Sequence, residues 1–209
     1  MFAVILKPYR SAAKPGTSEL TERGSRFIGV CAPVQDEDRA KEVLGEARRS
    51  HPDASHHVYA YRLRGGVTRA SDDGEPSGTA GAPVLEVLTR RDLLDTVLVV
   101  TRYFGGTLLG AGGLIRAYSR AASAAADDAG SAELCPWREG FSPVPYPLYE
   151  QVLRLLERHG ARNVTSEFGT DVTVRFQAAE RIWDVLGGEL TELTSGACGL
   201  TQTGSLYLP

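Results

Sequence analysis

"GSAELCPWREGFSPVPYP", residues Gly130 to Pro147, holds four prolines and almost no hydrophobic period. A stretch of that kind reads as the boundary between two domains, because proline and glycine interrupt both helix and strand patterns. The chain beyond it is regular. A strand at Gly140–Tyr146 leads into a helix at Pro147–His159, with Pro147 at its first position and Leu148, Val152, Leu155 and Leu156 on one face. Strands at Ala161–Phe168 and Asp171–Gln177 are joined through Gly169-Thr170. A helix at Ala178–Leu190 then precedes a last strand, Gly199–Leu208. The order β-α-β-β-α-β is the ferredoxin-like pattern. The expected fold class is α+β with two domains, residues 1–135 and 136–209.

Upstream of the boundary, Ser18–Thr21 and Arg26–Pro33 read as a hairpin turned by Arg23-Gly24 after a loose start. Asp36–Ser50 is an amphipathic helix, acidic in its first turn and arginine-rich in its last, as the helix dipole favours. "SHHVYAYRL" (Ser55–Leu63) and "GGVTRAS" (Gly65–Ser71) form a second hairpin signal. An apolar-faced helix falls near Gly78–Arg91. "DTVLVVTRYF" (Asp95–Phe104) is a nearly continuous apolar run and therefore a buried strand. "GGTLLGAGG" then leads into a long Ala-rich helix, Leu114–Ala129.

Charge and composition exclude several classes. The net charge is -3, and the basic and acidic residues balance at 17 against 17 up to residue 135 and 6 against 9 beyond it. Indiscriminate electrostatic wrapping of nucleic acid is thereby disfavoured, while a local patch stays open. Any such patch consists of arginine, which supplies all basic residues except Lys7, Lys14 and Lys41. Cys31, Cys135 and Cys198 have neither zinc-ligand nor redox spacing and read as reduced, structural residues. The apolar run after Met1 is too short for a signal-peptide core, and no later segment approaches a membrane span, so a cytoplasmic protein without membrane partners is expected.

"ASDDGEPSGTAG" (Ala70–Gly81) is too rich in Gly, Pro, Asp and Ser for regular structure and must be a loop held by its neighbours. Its carboxylates Asp72, Asp73 and Glu75, with His56 or His57 nearby, are candidate ligands for a hard cation, but no calcium-loop spacing, HExxH or CxxC accompanies them. Their alternative fate is hydrogen bonding to turn amides or pairing with Arg102 or Arg116. The glycine run from Gly105 lacks the Lys and hydroxyl of a nucleotide P-loop and the third glycine of a dinucleotide fingerprint. It leaves either an anion-accepting helix N-terminus or a close helix–sheet contact. Ser77 has no nucleophile elbow around it. Arg116 and Arg120 are one turn apart, and Tyr103 or Tyr118 could offer a base a stacking surface.

Taken together, "SRFIG" (Ser25–Gly29), "HHVYAY" (His56–Tyr61), "SDDGEPSGTAGAPVL" (Ser71–Leu85) and "VVTRYFGGTLLGAGGLIRAY" (Val99–Tyr118) resemble the signature of the Impact/YigZ family. The resemblance spans Gly16–Ala129. It implies an N-terminal α/β two-layer sandwich, similar to domain IV of elongation factor G, with the ferredoxin-like half similar to the small domain of bacterial members. Eukaryotic members restrain a starvation-sensing kinase of translation initiation and carry a further N-terminal interaction domain, which is not expected here because only about fifteen residues precede the resemblance. The implied function is a non-catalytic, translation-associated regulator that binds RNA, the ribosome or a protein of the translation machinery, without cofactor or metal. The implied binding residues are Asp72, Asp73, Glu75, Ser77 and Thr79 in one loop, with Arg102, Tyr103, Arg116 and Tyr118 opposite; Arg120 joins the expected binding set because it shares a helix face with Arg116. The competing expectation is a divalent-metal-dependent hydrolase or transferase using Asp72, Asp73 and Glu75.

Overall fold

The computed structural model describes residues 7–209, and the apolar run after Met1 lies outside them. Two compact units form, Tyr9–Glu133 and Leu134–Pro209. Among the described residues no helix is long and apolar enough to cross a membrane.

The first unit opens with a short strand, β1 (Tyr9–Ala12), where the sequence suggested only a loose start. Its main sheet is antiparallel and ordered β2-β3-β6-β4-β5, from β2 (Gly16–Glu22), β3 (Ser25–Pro33), β4 (His56–Arg62), β5 (Thr68–Ser71) and β6 (Thr96–Tyr103). Apolar on both sides, β6 takes the centre and is buried from Thr96 to Arg102. Its Leu98 and Val100, with Phe27, Cys31 and Val58, pack beneath α2 (Gly81–Arg90) and α3 (Ala111–Ala129). Alanines at 117, 121, 122, 125 and 126 give α3 a small-residue face towards that sheet. The reverse face carries Val97 and Val99 against α1 (Glu37–Ser50), which buries Ala40, Val43, Leu44 and Ala47. Asp36 caps α1, accepting from the Arg39 backbone N–H at 2.8 Å.

In the second unit β7 (Ser131–Val144) is followed by α4 (Tyr149–Arg158), β8 (Arg162–Phe168), β9 (Val172–Ala179), α5 (Trp183–Leu193) and β10 (Thr201–Leu208). The antiparallel order β10-β7-β9-β8 is that of the ferredoxin-like fold. Val144, Leu156, Val174, Phe176, Leu186 and Leu190 fill its core.

The proline-rich stretch is itself a strand, longer than the Gly140–Tyr146 expected. The register explains why the prolines are tolerated. β9 and β10 flank β7 together only over Trp137–Phe141. Pro136 lies opposite Tyr207 of β10 just before β9 joins, and Pro143 lies opposite Thr173 of β9 after β10 has ended. Each proline therefore lies outside the stretch held by both strands, where a missing N–H breaks no second ladder.

Candidate functional site

The acidic loop is organised from within. The Asp72 carboxylate accepts backbone N–H bonds from Gly78 (2.9 Å), Ala80 (3.0 Å) and Gly81 (2.8 Å). It thus caps α2, whose own cap residue, Ala80, contributes no side-chain bond. Burial pushes the Asp72 carboxyl up, but the three N–H donors outweigh it and hold the group below the usual carboxylate range. Asp73, in the left-handed region at φ 43, accepts from the His57 N–H at 2.7 Å and lies 3.3 Å from Arg48. The Thr79 hydroxyl donates to the Pro76 carbonyl at 2.6 Å, while Ser77 is exposed.

Glu75 turns the other way, into the unit. Its Oε1 accepts from Arg102 Nη1 at 2.6 Å and from the Tyr118 hydroxyl at 2.7 Å. The Glu75 and Arg102 side chains are only 3% and 6% exposed. Arg102 also donates to Ser25 Oγ at 3.1 Å, and its guanidinium lies 5.4 Å from the Phe27 ring centre and 5.5 Å from that of Phe104. Its buried Nε has no hydrogen-bond partner among the described residues. Burial, then the bond to Glu75, drives the Tyr118 hydroxyl strongly upward, so it stays a proton donor. Of the two arginines considered as partners for the loop, Arg102 is the one that neutralises it.

The other residues grouped by sequence do not join this cluster. Side chains alternate along a strand, so Tyr103 faces away from Arg102 and meets His51 Nδ1 at 3.0 Å. Arg120 pairs with Glu22 at 3.1 Å, a partner the sequence did not suggest. Arg116 is exposed and has no hydrogen bond or ion pair among the described residues. Its guanidinium folds back to 3.5 Å from where a Cβ on Gly112 would sit, beside the first turn of α3. Asp72, Asp73 and Thr79 build the loop and Glu75, Arg102 and Tyr118 a buried core, leaving Ser77, Arg116 and Arg120 at the surface.

One residue absent from the sequence-derived set stands beside Arg116's loop. Because β3 and β6 pair with Arg26 opposite Tyr103, the β2–β3 turn comes to rest on the glycines that follow β6. Gly24 and Gly105 touch so closely that a Cβ on Gly105 would lie 1.9 Å from the Gly24 carbonyl carbon. The turn thereby sets Arg23, exposed and without a polar partner among the described residues, next to the loop. Arg26 pairs with Glu19 and Arg120 with Glu22, which leaves Arg23 and Arg116 without an ion-pair partner among the described residues. On that loop and in the first turns of α3, Phe104, Leu108 and Ile115 are exposed. The Arg23-Gly24 turn was legible in sequence; its neighbour was set by strand register.

The three loop carboxylates point to different partners, and among the described residues no group of three or more His, Cys, Asp or Glu is arranged to hold a metal ion. Residues 23–126 match the Impact N-terminal domain and residues 144–197 a domain of unknown function, DUF1949. The IMPACT family member YvyE of Bacillus subtilis is 37% identical over 98% of this chain and 95% of its own length. The chain belongs to the IMPACT family. Protein IMPACT of Rattus norvegicus is 33% identical across 44% of this chain and 30% of its own. A solved crystal structure of a hypothetical protein, 28% identical, superposes with a TM-score of 0.67 and covers 96% of this chain and 99% of that one.

Proposed function

We propose that this IMPACT-family chain is a non-catalytic, translation-associated regulator that binds RNA, with the loop after β6 and the start of α3 as its contact face. The supporting observation is a loop that exposes Phe104 and Leu108 and meets the Arg23-Gly24 turn at one end and the Arg116-bearing start of α3 at the other, neither arginine having a polar partner among the described residues. A cation beside the first turn of a helix is unfavourable for the free protein, since that end of the helix dipole is already positive. An anionic ligand reverses the sign of that interaction, and the free N–H groups of the turn add donors for phosphate. The exposed ring supplies a surface on which a base stacks. The hydrolase reading fares worse, because Asp72, Asp73 and Glu75 are each held by amides, arginine or tyrosine and do not converge.

Co-sedimentation with ribosomes at low and high salt tests the proposal. The native chain is expected in the ribosomal pellet at low salt and in the supernatant at high salt, with Arg23→Ala/Arg116→Ala in the supernatant throughout. Pelleting of that variant equal to the native chain would contradict it.

A further inference from the structure

Leu108 is 82% exposed, more than any other large apolar residue described. A slack loop does not account for this. On one side the Gly105 N–H donates to Ser25 Oγ at 3.2 Å and its Cα abuts the β2–β3 turn. On the other, Leu109 is buried and packs against Gly113 of α3. Leu108 is held outward between two fixed points. Single exposed leucines are ordinary, but Phe104, Leu108 and Ile115 are three of the four exposed large apolar residues described in the first unit, with Val67 the fourth.

An apolar tip on a loop that runs from the Arg23-Gly24 turn to the Arg116-bearing start of α3, both arginines being unpaired among the described residues and the loop itself having no carboxylate, suits a ligand with an anionic backbone and apolar faces between its rungs. Proteins that distort nucleic acids use leucine or phenylalanine in this way, inserting it into a base step while arginines hold the phosphates. We propose that Leu108 is a wedge and Phe104 a stacking platform, and that the preferred ligand is an RNA helix interrupted by a bulge or loop, from which an unpaired base leaves its stack on binding. The proposal rests on the RNA reading of this face. RNA favours it because bases in bulges and loops are unstacked at low cost and are commonly received on aromatic side chains.

The test uses the full chain and an RNA hairpin carrying 2-aminopurine at a bulged position, with a fully paired duplex of equal length as control. Binding of the native chain should raise the fluorescence as the base unstacks. Leu108→Ala should lose that rise and bind about tenfold more weakly at an unchanged salt dependence, whereas Leu108→Trp, which retains a wedge, should keep the rise. Leu108 is exposed, so neither change disturbs the core. The paired duplex should bind about tenfold more weakly than the bulged hairpin, the value of one lost stacking contact. Binding without a fluorescence change, a full rise with Leu108→Ala, or equal affinity for the duplex would overturn the wedge and leave the RNA reading standing. No binding to either RNA at low salt would overturn both.

Discussion

Replacing Arg102 by Met removes the guanidinium hydrogen-bonded to Glu75 while keeping a long apolar side chain beside Phe27 and Phe104. The carboxylate, 3% exposed, then keeps the Tyr118 hydroxyl and, more distantly, the His56 imidazole at 3.8 Å. Breaking a buried pair in this way costs about 3–5 kcal/mol. Tyr118→Phe removes one hydrogen bond to a charged acceptor and keeps the edge-on contact with Phe27, so its cost is about 1.5–3 kcal/mol. Glu75→Leu strands Arg102 and should cost as much as Arg102→Met. The double variant Glu75→Leu/Arg102→Met leaves neither charge buried and should be more stable than the sum of the single losses predicts. Arg116→Ala should stay within the roughly 0.5 kcal/mol of an ordinary surface change. Native-state hydrogen exchange of β6 and α3 amides reads these differences as changes in local opening free energy. Near-native protection in Arg102→Met, or strictly additive losses in the double variant, would refute the closed Glu75–Arg102–Tyr118 cluster.

Asp72→Ala should destabilise the first unit by about 1–2 kcal/mol through loss of the α2 cap. Because the folded protein holds the Asp72 carboxyl below its usual range, that stabilisation is complete above the unfolded value and is lost as pH falls through the folded one; melting curves across the acid range should therefore fall more steeply for the native chain than for Asp72→Asn. Burial pushes the Cys31 thiol up to about 12, so mass spectrometry after mild alkylation of the native protein should find Cys135, which is half-buried, labelled ahead of Cys31. Limited proteolysis should spare Trp137–Phe141, and early cleavage there would mean that this stretch is the open linker its prolines suggest.

Much of the architecture was readable because local chemistry and tertiary structure agree. The second unit announced itself through apolar faces at helical spacing, and the central place of β6 through its unbroken apolar run. β7 is longer than its prolines suggest because proline depletion is a rule about doubly paired strands, and only the register shows that Pro136 and Pro143 lie outside the stretch flanked by both β9 and β10. At the candidate site the residue types were legible but their partners were not. Nothing in the chain order distinguishes Arg102 from Arg116 as the partner of Glu75. That choice depends on Arg102 pointing inward from the sheet while Arg116 sits on the exposed side of α3. Arg23 is not legible as a candidate for the same reason, since the nearness of its turn to Gly105 arises from the pairing of Arg26 with Tyr103.

If Arg23 and Arg116 face phosphate, the most direct test is the affinity for a bulged RNA hairpin, measured by fluorescence anisotropy over a series of salt concentrations, for the native chain, each single alanine variant and the pair. Each lost phosphate contact should flatten the slope of log K against log salt by about one unit, so the double variant should lose about two. A slope unchanged in the double variant, with its hydrogen-exchange protection intact, would contradict the assignment of this face to RNA.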